Sequence, residues 1–396
     1  MFVLPEKIEA KYANRTKQVN SFIVMDILEK AQEMEANGED IVHLEIGEPD
    51  FDTPQPVKES ALQALSSGDT HYTHSLGKLT LREAIAGFYE RKYGVELSPE
   101  QIIVTSGSSP GMLLIFSVLI ERGDEVILPD PHYACYPNFI HFFEGKPVNI
   151  PVRGENGFKY RLDDIKKAIN TRTAFLMLNS PANPTGSVYN GRELQELAAL
   201  DQIIVSDEVY AGLVYGEEQH SILEYTKKAF VIGGFSKIYA MTGWRLGYVI
   251  APPEYIRTMQ KLQQNLFICA ASFAQEAAVT ALTCCDRHVA SMVEVYDSRR
   301  RYLLNRLKKA GIAPPVDPRG AFYVLADVRK YTADSLAFAF EVLEKAKVAV
   351  TPGIDFGQNG EGYLRLSYAN SLENIEEGMN RLETYLYSQS KIGDGS

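Results

Sequence analysis

Between about residue 40 and residue 250, short continuous apolar runs alternate with segments of helical period. The runs are IIVTSG (starting at Ile102), EVILPD, TAFLMLNSP, IIVSDEVY and AFVIGGFS, and between them lie MLLIFSVLIERG, YPNFIHFFEG and GRELQELAAL. A strand with one wet face alternates apolar and polar residues, whereas a strand apolar at every position is buried on both faces. The pattern therefore predicts an α/β fold, with a parallel or mostly parallel sheet covered by helices on both sides. Right-handed crossovers gather the carboxyl ends of such strands along one edge, where ligands bind.

At 396 residues the chain exceeds what one hydrophobic core usually organises. After about residue 284 the texture changes to a long charged helix, DRHVASMVEVYDSRRRYLLNRLKKAG, followed by the separated strands AFYVLAD and YLRLSY. We expect a large α/β domain over 40–284 and a smaller α+β domain made of 1–39 and 285–396. An N-terminal arm leads into a helix within FIVMDILEKAQEMEANGED that stops near Gly38, and the tail SQSKIGDGS is expected to fray. A net charge of -11 leaves no basic footprint for nucleic acid or an anionic membrane. No run reaches the roughly 18 to 20 apolar residues of a membrane span. The start MFVLPEKIEAKY lacks the layout of a signal peptide, so a cytoplasmic location is expected and the sequon at Asn14 is read as chance. Four cysteines (Cys135, Cys269, Cys284, Cys285) suit neither a disulfide scaffold nor a zinc site, and the HYTH pair His71 and His74 lacks further ligands at useful spacing. No metal is expected.

Four strand-end loops carry polar residues where a core needs none. TSGSSPG (Thr105 to Gly111) offers the start of a helix, whose unpaired N–H groups and positive dipole end suit a phosphate. NSPANPTG (Asn179 to Gly186) is a rigid turn, because X-Pro bonds resist helix. SDEVY places Asp207 and Glu208 after an apolar run, where a buried carboxylate needs a partner. GGFSKIYAMTGWRLGY sets Lys237 at a strand end with Arg245 eight positions on. Burial and a nearby cation both disfavour the ammonium, and a neutral amine can attack an aldehyde. Each loop alone is what an ordinary turn could carry. Their order is the stronger signal.

That order, with the wording NPTG, SDEVY and SKIYAMTGWRLGY and the supporting EIGEPDFDTP and YLRLSYA, resembles the class I pyridoxal-phosphate-dependent aminotransferases, the aspartate aminotransferase-like group of fold type I. The likeness runs from about Val19 to about Tyr387 and implies a large domain built on a seven-stranded-type sheet. It implies that Lys237 is the Schiff-base lysine and the acid/base between Cα and the cofactor. Asp207 would pair with the pyridine nitrogen, Tyr210 and Asn183 would bond the phenolic oxygen, and Tyr133 would stack on the ring. Gly107, Ser108, Ser109, Ser236 and Arg245 would surround the phosphate. Arg365 would clamp the substrate α-carboxylate, with the Gly47 N–H and Asn183 beside it. Tyr72 matches a tyrosine that reaches the phosphate of a neighbouring subunit, which implies a homodimer with shared sites.

Two departures stand out. Gly234 replaces a serine that many relatives carry three residues before the lysine, and the segment between NPTG and SDEVY is short. The implied reaction is ping-pong transfer of an amine from a neutral, aromatic or aspartate-like amino acid to a 2-oxo acid such as 2-oxoglutarate or pyruvate. The alternatives are a C–S lyase or cyclopropane-forming synthase of the same fold and, further off, a non-catalytic cofactor-sensing regulator. Phe22 and Ile23 at the entry of the first helix, and Ser109 where aspartate-specific relatives often have lysine, lean the donor towards neutral or aromatic amino acids.

Overall fold

In the computed structural model, which describes residues 12–393, the apolar runs become strands of one sheet. A short strand β1 (Val42–His43) precedes them; then come β2 (Ile102–Thr105), β3 (Glu125–Asp130), β4 (Lys146–Pro151), β5 (Thr173–Asn179), β6 (Ile204–Asp207), β7 (Ala229–Gly234) and β8 (Gly247–Ile250). The last seven form a sheet in the order β2-β8-β7-β6-β5-β3-β4. All pair in parallel except β8, which runs against both β7 and β2. Because β8 starts at the carboxyl edge, the chain leaving β7 crosses that edge and turns straight back into the sheet. Lys237 and Arg245 lie on this crossing.

The pleat divides the strand residues between two cores. Ile102, Val104, Leu176, Ile204 and Ile250 pack against α2 (Gln55–Ser66), α3 (Leu79–Tyr93), α6 (Leu162–Ala168), α7 (Gly191–Ala198) and α9 (Ser272–Cys284). Ile103, Val126, Phe175, Val205 and Val249 pack against α4 (Ser108–Leu119), α5 (Tyr136–Phe142) and α8 (Pro253–Leu266). Burying each such side chain contributes about 1.5–3 kcal/mol.

A third core joins α1 (Ile23–Ala36), α10 (Asp286–Lys309), α11 (Ser335–Ala346) and α12 (Leu372–Gly393) to the antiparallel strands β9 (Tyr323–Asp327), β11 (Thr351–Pro352) and β12 (Tyr363–Ser367). Here β1 pairs with β10 (Val348–Ala349). Tyr210, Leu213, Tyr215 and Ala240 from the large-sheet loops complete this core. Helix α1 ends at Ala36, with Gly38 in the left-handed region just beyond it. The tail corrects one expectation. α12 continues through Gly393, with Leu382, Tyr385 and Leu386 buried along it, and 394–396 of SQSKIGDGS lie outside the described residues. The MFVLPEKIEAK start also lies outside them. No helix among the described residues is long and apolar enough to cross a membrane.

Candidate active site

The carboxyl edge brings most of the sequence-selected residues around two adjoining cavities. The first, about 220 Å³, is lined by Gly47, Tyr133, Asn183, Asp207, Tyr210, Lys237 and Arg365. The second, about 320 Å³, is lined by Gly234, Ser236, Arg245 and Thr242. Ser108, Ser109, Tyr133 and Lys237 belong to both. Tyr72 is elsewhere: it is 81% exposed, in a separate surface hollow with His71, Cys269 and Phe273. Among the described residues no three metal-ligating side chains come together.

Lys237 leaves β7 half-buried, and its Nζ donates to the carbonyl of Gly47. Burial, aided by Arg365 and Arg245 and opposed by Glu48 and Asp207, lowers its pKa from 10.5 to about 8. Asp207 ends β6, level with Asn179 on β5. Burial raises its carboxyl to about 6, held from going higher by two donors and by Lys237. Tyr136 Oη donates to Oδ2 at 2.7 Å, and the Val209 N–H donates to Oδ1 at 3.2 Å. The neighbouring Glu208 points to the other sheet face. There its Oε1 accepts from Ser206 Oγ (2.9 Å), Ser221 Oγ (3.1 Å) and the Ile222 N–H (3.2 Å).

Asn179 staples the Asn-Pro turn to β6. Its Nδ2 donates to the Asp207 carbonyl at 2.9 Å, while its Oδ1 accepts the Asn183 N–H at 2.8 Å. Asn183 Oδ1 in turn accepts from Arg365 Nη1 at 3.0 Å. Arg365, on β12, is buried with its guanidinium carbon 4.3 Å from the Tyr323 ring centroid and 4.9 Å from that of Phe356. Nη2 donates to Thr351 Oγ1 at 3.1 Å and to the Glu45 carbonyl, while Nε is buried without a partner. A buried charged donor without an acceptor is costly, so this arginine is poised for an anion. Tyr210 and Tyr323 share a hydroxyl–hydroxyl bond of 2.8 Å beside it.

At the other end, α4 begins at Ser108, and the N–H groups of Ser108 and Ser109 lack helical partners, while Pro110 has no N–H to satisfy. Gly107 has φ +104°, a conformation that side-chain-bearing residues rarely adopt, and a Cβ there would lie 2.7 Å from Arg245 Nη2. A Cβ on Gly247 would likewise meet the Gly107–Ser108 backbone at 2.8 Å. Arg245 itself holds a left-handed φ of +51° and donates to the Thr242 carbonyl at 2.9 Å, turning its side chain over the helix start. Such backbone strain, of order 1–3 kcal/mol, persists where the surrounding structure imposes it.

Sequence reasoning overlooked Tyr136, Asn179, Phe356 and Asp355. Asn179 lies in a quoted motif, but neither it nor the others carry a local signal that separates them from ordinary turn or core residues.

Residues 39–382 match the family model of the class I and II aminotransferases. The chain is 43% identical over 379 residues to a (5-formylfuran-3-yl)methyl phosphate transaminase of Methanocaldococcus jannaschii, covering 94% of this chain and 99% of that one. It is 38% identical to an aspartate aminotransferase of Pyrococcus horikoshii, covering 96% and 98%. The crystal structure of an aromatic aminotransferase from Pyrococcus horikoshii superposes with a TM-score of 0.86 at 39% identity, over 93% and 99% of the two chains. A motif order legible in the residues, a fold of the same topology and full-length likeness to named aminotransferases agree: the chain belongs to the class I pyridoxal-phosphate-dependent aminotransferase family and is an aminotransferase.

Proposed function

We propose that the two cavities would hold pyridoxal 5′-phosphate, with Asp207 at its ring nitrogen and the start of α4 at its phosphate, and that an amino acid with an apolar or aromatic side chain is the donor. The observation that carries the first part is the pairing across one space of a half-buried amine at about 8 with a buried carboxyl at about 6. When bound, the cofactor supplies an aldehyde that takes up amines and a ring that withdraws electrons from the substrate Cα. Lys237, free base in a useful fraction near neutrality, takes the Cα proton and returns it on the other side of the transfer. Asp207 keeps the ring nitrogen protonated, and the Tyr136 hydroxyl keeps Asp207 charged. Tyr210 and Asn183 bond the ring oxygen, Tyr133 covers the ring face, and Gly107, Ser108, Ser109, Ser236 and Arg245 take the phosphate. Arg365, whose Nε has no partner within the protein, takes the α-carboxylate, with Gly47 alongside.

For the donor, Phe22, Met25, Leu28, Ile46, Met112 and Val209 line the first cavity, and its cations are Lys237 and Arg365. Both have other work, so among the described residues no further cation meets a second carboxylate there, while an apolar side chain finds a wall. Pyruvate is the acceptor favoured on the same grounds, with 2-oxoglutarate as the other candidate.

We also propose that residues 40–284 and the remainder form the two domains named above, and that a second copy covers the surface around Tyr72. There Leu266 is 54% and Ile268 48% exposed. A cytoplasmic location fits the four unpaired cysteines. The test is a half-reaction screen of the twenty amino acids against the cofactor-loaded protein, read by loss of its visible band. Fastest loss with aromatic or large aliphatic donors is expected. Aspartate as the best donor would refute the side-chain assignment, and release of pyruvate and ammonia without amine transfer would restore the lyase alternative.

A further inference from the structure

Residues 20–24 border the first cavity through Phe22 and Val24 and are fastened on two sides. On the large-sheet side, the Asn20 N–H donates to Asn138 Oδ1 at 3.0 Å, and Asn138 Nδ2 donates back to the Asn20 carbonyl at 3.2 Å. On the other side, the carboxylate of Asp355 accepts the N–H groups of Ile23 (3.2 Å) and Val24 (3.4 Å). Helix starts are ordinarily capped by the side chain just before the first turn. Here that position is Phe22, which offers no cap, and the orphan donors of α1 are met by a residue more than 300 positions away. Phe22, freed from capping, turns its ring edge-on to Tyr133 at 6.0 Å between centroids and lines the cavity. Asp355 is followed directly by Phe356, whose ring supports Arg365. One short turn thus braces both the α-carboxylate clamp and the wall opposite it.

We propose that residues 20–24 are a strap whose Phe22 closes the side-chain end of the substrate cavity, and that Asp355 and Asn138 are positioning residues that hold the strap and thereby set the preference for large apolar donors over small ones. This rests on the apolar-donor proposal above. On this proposal a substrate as small as alanine is held at Arg365 and Lys237 without help from Phe22, which lines the same cavity. A phenylalanine-sized side chain would also pack against Phe22. Loosening the strap therefore costs the large donor and spares the small one.

The test compares kcat/KM for phenylalanine and alanine in the cofactor-loaded wild type and in Phe22→Ala, Asp355→Ala, Asp355→Asn and Asn138→Ala. Amide hydrogen exchange at Ile23 and Val24 is measured alongside. Phe22→Ala and Asp355→Ala are each expected to lower the phenylalanine-to-alanine ratio about 10-fold, mainly through KM. Asp355→Asn, which keeps an acceptor oxygen, recovers part of the loss, and Asn138→Ala shows a smaller fall. Exchange at both amides quickens in Asp355→Ala. If the wild type prefers phenylalanine and Phe22→Ala lowers the ratio but Asp355→Ala does not, the strap proposal is overturned alone. Equal losses for both donors overturn it too. A wild-type preference for aspartate over phenylalanine overturns the donor proposal and this one with it.

Discussion

Capture of an aldehyde requires a neutral amine, so the rate at which cofactor-free protein takes up pyridoxal phosphate reports the free-base fraction of Lys237. Burial is the largest cause that moves this amine from 10.5 to about 8, with Arg365 and Arg245 adding to it and Glu48 and Asp207 opposing. At pH 7 that displacement raises the free-base fraction about 300-fold, from roughly one molecule in 3000 to about one in ten. Stopped-flow capture from about pH 6 to 10 should therefore climb about tenfold per pH unit and level off near 8. Arg365→Met, by removing a cation that opposes the ammonium, should move the inflection upward; Lys237→Ala should give no visible band. The sign for stability follows from the same shift. Between about 8 and 10.5 the unfolded chain holds more protons on this lysine than the native state, so its contribution rises with pH across that window. The difference against Lys237→Met should amount to about 3 kcal/mol over the window. A capture profile inflecting near 10, or an inflection that falls in Arg365→Met, would refute the reasoning.

Arg365→Lys replaces a planar fork by a point donor, so the donor KM should rise about 10- to 100-fold while the visible cofactor band stays unchanged; an unaltered KM would contradict the clamp. Tyr136→Phe removes a donor to the Asp207 carboxylate, and its pKa in the cofactor-free protein should climb by about one to two above its present value, as followed by carbon NMR. An unchanged titration would remove Tyr136 from the site. A Cβ on Gly234 would meet nothing closer than the Leu246 carbonyl at 3.8 Å, so Gly234→Ser should fold normally. Its hydroxyl, added to the second cavity, should tighten cofactor binding up to about 10-fold in a fluorescence titration; weaker binding would argue against a phosphate there.

The central strands and the chemistry of their end loops were legible because both depend on local pattern: apolar runs, a helix start, an amine among glycines. β8 was missed since an antiparallel strand buried on both faces looks like its parallel neighbours, and GYVI continues directly from the lysine motif. β4 was missed because this edge strand, KPVNIP, has one buried residue and a proline near each end. Tyr136 and Tyr133 sit in one helix-entry segment and are chemically alike. Only the packing of α5 against the end of β6 decides which one reaches Asp207. Asp355 had no signature at all. Capping motifs are recognised within a few residues, whereas this one closes through tertiary structure.

The two adjacent carboxylates at the end of β6 impose a parity rule on the chain. Successive strand residues alternate faces, so Asp207 and Glu208 are assigned to opposite compartments by their position count from Ile204. Deleting one residue within the strand would exchange them: the longer acid would take the place of Asp207, and the shorter one would turn to the face of Ser221 and Ile222. The strand is thus fixed in length to the single residue. The connection ahead of it carries no such count, which is why the chain can shorten there without disturbing the chemistry one strand later.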